Sequence, residues 1–115
     1  MNSAASPPAT PEFRQLFDHA IDLRNEGRHA EAVRLFERLR VLNPVSASVH
    51  AFLGDTFWEL GRLPDAIRSF QKAVELAPRS EMASLGLFHT LLESGQEERA
   101  NAVMDRFRAL VDPDE

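Results

Sequence analysis

Apolar residues in the middle of the chain recur at helical intervals. Val49, Leu53, Phe57 and Leu60 fall at i+4, i+4 and i+3, and Ala66, Ile67, Phe70, Ala73, Val74 and Ala77 resume the pattern beyond Gly61. Residues at such intervals share one face of a helix, so this stretch predicts two amphipathic helices of about 14 residues joined by a short glycine-containing turn. The alternation expected of a strand is nowhere sustained.

The same pattern occurs three times. Gly27, Gly61 and Gly95 are each 34 residues apart, and Ala32, Ala66 and Ala100 follow in step. Phe36, Phe70 and Met104 keep that spacing, as do Leu39, Ala73 and Phe107. Upstream of the glycines, Leu16, His50 and Ser84 form a further set, and Leu23, Phe57 and Leu91 another. A fixed period of this kind marks a repeat array. We read three units, 13–46, 47–80 and 81–114, after a tail, 1–12, expected to be disordered.

Start and stop signals agree. Thr10-Pro11-Glu12 reads as an N-cap, a proline at the first helical position and an acid on the positive helix end. Ser46 and Ser80 are placed to cap the first helices of units two and three, and Pro64 suits a first turn. Pro44 and Pro78 follow helix ends, where a missing N–H does no harm.

The middle unit, ASVHAFLGDTFWELGRLPDAIRSFQKAVELAPRS, resembles a tetratricopeptide repeat: Leu53-Gly54, Phe57, Gly61, Ala66, Phe70, Ala73 and Pro78 occupy signature positions. His50 departs, where the family favours an aromatic. The outer units match less fully, with His19-Ala20 and Leu87-Phe88 at the Leu-Gly pair and Leu39 and Phe107 at the second small position. The resemblance implies an all-α fold, a right-handed α-α superhelix of three helix-turn-helix repeats, and a generic role in protein–protein interaction. Physics gives the pattern its sense. Gly54 and Ala66 lack bulk, so helices can approach to roughly 8–10 Å, and large residues fill what remains. Leu39 and Phe107, large at a small position, predict looser packing in the outer units.

Composition removes several functions. The net charge is −5 and the pI about 5.3, which argues against nucleic acid, whose binding leans on clustered positive charge. No apolar run approaches the ~20 residues of a membrane span. The opening residues, MNSAASPPATPE, have neither the basic nor the apolar region of a secretory signal. The chain contains no cysteine, which rules out disulfides and thiolate metal sites and fits a reducing, cytoplasmic setting. Twelve of the 13 basic residues are Arg, a bias we read as bacterial, GC-rich coding.

No constellation supports catalysis, and neither a metal site nor a cofactor is expected. His19, His29, His50 and His89 include no i+3 or i+4 pair, so no helical metal pair exists. His19 and His50 fall on a packing face and are expected to be part-buried. Gly54, Gly61 and Gly86 follow no strand and form no phosphate loop. Acids near helix starts, Glu31, Asp65, Glu97 and Glu98, suit the helix dipole, and Asp112, Asp114 and Glu115 make a short solvated tail.

In tetratricopeptide arrays the first helices line a concave surface, and this implication locates the candidate site. Outside the packing signature, unit one offers Arg14, Phe17, Asp18, Ile21, Arg24 and Asn25, and unit two Ser48, Ala51, Phe52, Asp55, Trp58 and Glu59. Unit three offers Met82, Leu85, Gly86, His89, Leu92 and Glu93. Such a face is too apolar for a solvated one, and exposed apolar patches usually mark partner sites. From it we single out Phe17, Ile21, Arg24, Phe52, Asp55, Trp58, Met82, Leu85, His89 and Leu92 as a partner-binding groove. A second reading has Phe17, Ile21, Phe52, Trp58 and Leu85 packing between adjacent first helices. Some family members clamp a C-terminal carboxylate with Lys, Asn and Arg. Those positions here carry Phe17, Ile21, Phe52, Met82 and Gly86, so that function does not transfer.

The expected partner is another protein, supplying an extended peptide or an amphipathic helix. The alternative is a self-associating homodimer: the chain stops soon after the third pair, leaving Val103, Met104, Phe107 and Leu110 without a following helix. In repeat number the chain also resembles type III secretion chaperones that hold translocators, which gives a third, narrower reading.

Overall fold

The structure, a computed structural model, describes residues 10–112. Six helices follow one another: α1 (Pro11–Asn25), α2 (His29–Leu42), α3 (Ala47–Glu59), α4 (Leu63–Leu76), α5 (Glu81–Glu93) and α6 (Glu97–Val111). No strand occurs among the described residues. Most of the expected disordered tail, 1–12, lies outside them. Its last three residues are the cap and first turn of α1, as the Thr10-Pro11-Glu12 signal predicts. Of the acidic tail only Asp112 is described.

Local chemistry sets the helix boundaries. Thr10, Ser46 and Ser80 each accept a backbone N–H three residues on, at 3.0, 3.3 and 3.2 Å. One otherwise orphaned donor is thereby satisfied at each odd-numbered helix start. Gly27, Gly61 and Gly95 end the turns with φ of +81°, +75° and +80°, a left-handed conformation that side chains disfavour. The even-numbered helices start at Arg28, Arg62 and Gln96 without a side-chain cap. Arg28 and Arg62 instead bind acids in the first turn, Glu31 and Asp65. The Arg28 guanidinium holds the exposed Glu31 carboxyl below its ordinary range by hydrogen bonding, and its own pKa is raised in return.

Each helix packs on the next, and α3 also meets α5, so the array is flat, with extents of 42 × 41 × 18 Å. The core runs along its length. Ala20, Ala32, Ala66, Ala73 and Ala100 are fully buried, and their small side chains permit the close crossings that Phe36, Leu53, Phe70 and Leu91 then fill. Leu39 does not loosen the first unit: it is completely buried within the core cluster. Phe107, at the same register, is half-buried.

His50 is buried, and its Nε2 lies 2.8 Å from the Pro44 carbonyl oxygen. His19 is exposed, contrary to the expectation of partial burial. Its counterparts one and two repeats on, Leu53 and Leu87, are buried. They face a preceding unit, whereas no described helix packs in front of α1.

Candidate functional site

The two junctions between units use equivalent positions differently. At the first, Phe17 on α1, Phe36 on α2 and Phe52 on α3 form an aromatic cluster. The Phe36 and Phe52 rings stack at 5.9 Å with an interplanar angle of 7°, and Phe17 meets Phe52 edge-on at 5.6 Å. The Arg24 guanidinium lies 5.5 Å from the Phe52 centroid and donates through Nε to Asp55 at 2.6 Å. Phe17, Ile21 and Phe52 are half-buried and pack against the core. The junction is closed: a ring fills it and an ion pair lies over the ring.

Thirty-four residues on, every part of that lid is replaced. Gly86 stands at the register of Phe52, Trp58 at that of Arg24, His89 at that of Asp55 and Ala51 at that of Phe17. A pocket of about 520 Å³ opens between α3 and α5, lined by Asp55, Trp58, Phe70, Gly86, His89, Thr90, Leu92 and Glu93. Its floor is the Phe70 ring, held between two glycines. A Cβ at Gly54 would lie 2.9 Å from that ring, and one at Gly86 would collide with it outright. Thr90 turns its hydroxyl inward to the Gly86 carbonyl oxygen at 2.7 Å, so the wall it forms is not an open hydroxyl. Across the mouth, the Trp58 indole N–H donates to a Glu93 carboxylate oxygen at 2.6 Å.

The residues singled out from the sequence therefore separate into groups. Asp55, Trp58, His89 and Leu92 meet around the pocket. Trp58 is 37% and Leu92 40% exposed, high for large apolar side chains. Arg24, Phe17, Ile21 and Phe52 belong to the first junction, engaged with one another, with Asp55 or with the core. Met82, 47% exposed, and half-buried Leu85 lie nearer the start of α5 and do not line the pocket. Phe70 and Thr90 complete the site and were not anticipated. Phe70 reads as core from its periodicity, and the one available signal was Gly86, 34 residues after Phe52.

At the far end, Val103, Met104, Phe107 and Leu110 are all half-buried. Val103 packs against the core, and with Phe107 it lines a second cleft, of about 450 Å³, between α4, α5 and α6. Among the described residues no group of three or more His, Asp or Glu is placed to hold a metal. No described helix is long and apolar enough to cross a membrane.

Three stacked helix pairs with one open junction define the class: a helical-repeat scaffold. The chain belongs to the tetratricopeptide repeat family, whose profile matches residues 17–81, more than half its length. It is 31% identical over 71 residues to the BBSome complex member BBS4 homolog of Drosophila melanogaster, a match covering 62% of this chain and 14% of that relative. The chain thus spans about one seventh of that protein. Among solved structures, the Yersinia enterocolitica type III secretion chaperone SycD, in complex with a peptide of the translocator YopD, superposes with a TM-score of 0.83 at 19% identity, over 90% of this chain and 79% of that one. A T3SS complex from Aeromonas hydrophila gives 0.83 at 25% identity, over 88% of this chain and 67% of that one.

Proposed function

We propose that the chain is a protein–protein interaction module that holds a peptide segment of a partner on its concave face. One observation carries this reading: the open junction between α3 and α5, where Trp58 and Leu92 stay exposed beside an apolar floor. The first junction gives the contrast. There the corresponding side chains are satisfied by one another, which leaves little surface to offer. Tryptophan is over-represented among binding hot spots, and burying one large apolar side chain is worth roughly 1.5–3 kcal/mol. Two or three such anchors support micromolar binding once association costs are met.

The SycD complex shares the helical frame and holds a peptide, which supports the general reading. The narrower role, a type III secretion chaperone, draws on that likeness of fold. Panning a displayed peptide library on the chain and mapping the selected binders tests the proposal. Trp58 is the only tryptophan, so its emission reports occupancy of the groove directly. Selected peptides are expected to shift that emission and to lose affinity on Trp58→Ala, by about 2 kcal/mol, with helicity retained. Binders that all map to α2, α4 and α6 and ignore Trp58→Ala would show the reading to be wrong.

A further inference from the structure

We propose that the pocket between α3 and α5 receives a single aromatic side chain of the partner segment, flanked in that segment by a lysine or arginine. The inference rests on the interaction-module reading and names the chemistry of the partner.

The first junction shows which kind of side chain this part of the repeat accommodates. At the first junction, the position equivalent to Gly86 carries a phenylalanine ring, stacked on the ring that corresponds to the pocket floor. The second junction keeps Phe70 and lacks the stacking ring; Gly86 packs directly on Phe70, so the open space lies beside that ring, toward Trp58 and His89. Around the opening stand two more aromatic groups, Trp58 and His89. Aromatic rings favour stacked and edge-on contacts with one another beyond what buried area alone supplies. Three rings lining one pocket therefore select an aromatic side chain over an aliphatic one of similar size. The volume of about 520 Å³ is ample for one such side chain.

Charge specifies the neighbour. At the closed junction Arg24 lies over the Phe52 ring and satisfies Asp55. At the open one its counterpart is Trp58, which carries no charge; of the two carboxylates lining the pocket, Asp55 is paired with Arg24, and Glu93 has no cation on it among the described residues. The indole N–H engages one of its two oxygens. A cation next to the aromatic anchor would meet the other, in a chain whose net charge is −5.

The test uses blocked hexapeptides of alanine with a central phenylalanine–lysine pair, and three relatives: leucine for phenylalanine, alanine for phenylalanine, and glutamate for lysine. Each is titrated to millimolar concentration into the isotope-labelled full chain, followed by amide and indole NMR shifts. The phenylalanine–lysine peptide is expected to move Gly86, His89, Thr90 and the Trp58 indole. It should bind about threefold or more tighter than the leucine peptide. The glutamate peptide should bind several-fold more weakly, with a difference that shrinks in high salt. Gly86→Phe fills the pocket but collides with Phe70, so the blocking variant is Trp58→Arg with His89→Asp, which rebuilds the ion pair of the first junction. It should keep its helicity and lose the preference for phenylalanine.

Equal binding of the phenylalanine, leucine and alanine peptides on the concave face overturns the aromatic anchor and leaves the interaction-module reading standing. Shifts at the pocket that depend on protein concentration without peptide assign it to a second copy, which also overturns the anchor. If none of the four peptides shifts a pocket residue, the anchor falls. If library-selected binders avoid the concave face as well, the wider reading falls with it.

Discussion

Trp58 on α3 and Glu93 on α5 are joined by an indole N–H bond of 2.6 Å that spans the mouth of the open junction. Both groups face solvent, where a bond of this kind adds little to stability. Its consequence is positional: it holds an exposed indole beside the pocket. Glu93→Ala should leave the melting temperature within a few degrees of the parent, because surface substitutions usually change stability by less than ~0.5 kcal/mol. The change should appear in Trp58 instead, as greater accessibility to a neutral quencher such as acrylamide. Unchanged quenching would mean that the indole is held by packing alone.

Gly86 sets two effects against each other. Alanine in place of a mid-helix glycine gains about 1 kcal/mol of helix propensity. Here its Cβ would collide with the Phe70 ring, which has glycine on both sides and is 4% exposed. Overpacking a closed core costs about 1–3 kcal/mol, so Gly86→Ala should be net destabilising in urea unfolding. A more stable variant would show that Phe70 can step aside cheaply.

Ala66 tests the same physics deeper in the core. It is fully buried on α4, within the main core cluster. Ala66→Trp should cost ~1–3 kcal/mol or more and lower the urea midpoint or abolish the transition. Ala66→Ser, with little added volume, should be far milder.

Arg24 and Asp55 are coupled in the first junction, with side chains only 27% and 22% exposed. A charge-assisted bond in a part-buried setting exceeds a surface pair, so a double-mutant cycle on Arg24→Ala and Asp55→Ala should give a coupling of roughly 1 kcal/mol. Arg24→Ala alone should cost more than Asp55→Ala, since it also uncovers the Phe52 ring. Coupling near zero would reduce the pair to a solvated contact.

Self-association through α6 is a separate proposal, with Phe107 central to it. Sedimentation across a wide concentration range should then show a monomer–dimer equilibrium, as isologous pairing of one surface gives a two-fold dimer. Phe107→Glu should return the chain to a monomer. A strict monomer at high micromolar concentration rules the dimer out.

The 34-residue period, the six helices, the serine and threonine caps and the glycine turns were legible in the sequence because each depends on a few neighbouring residues. A cap needs its N–H three residues away, and a turn needs one residue that tolerates positive φ. That the candidate groove residues lie on the odd-numbered helices α1, α3 and α5 was also legible, since it follows from position within the repeat. Which of those residues stay available was decided by tertiary structure. Phe17, Phe52 and Trp58 look alike as large apolar residues on one face, yet Phe17 and Phe52 close the first junction while Trp58 flanks an open one. His19 and Leu53 share a register but not a burial, because what packs in front of each differs. Phe70 reads as core and is core, 4% exposed between Gly54 and Gly86, yet it also reaches the wall of a pocket because Gly86, sixteen residues later, carries no side chain to fill the space beside it. Burial and cavity shape depend on what the facing helix carries at the matching register, and that pairing exists only once the helices are stacked.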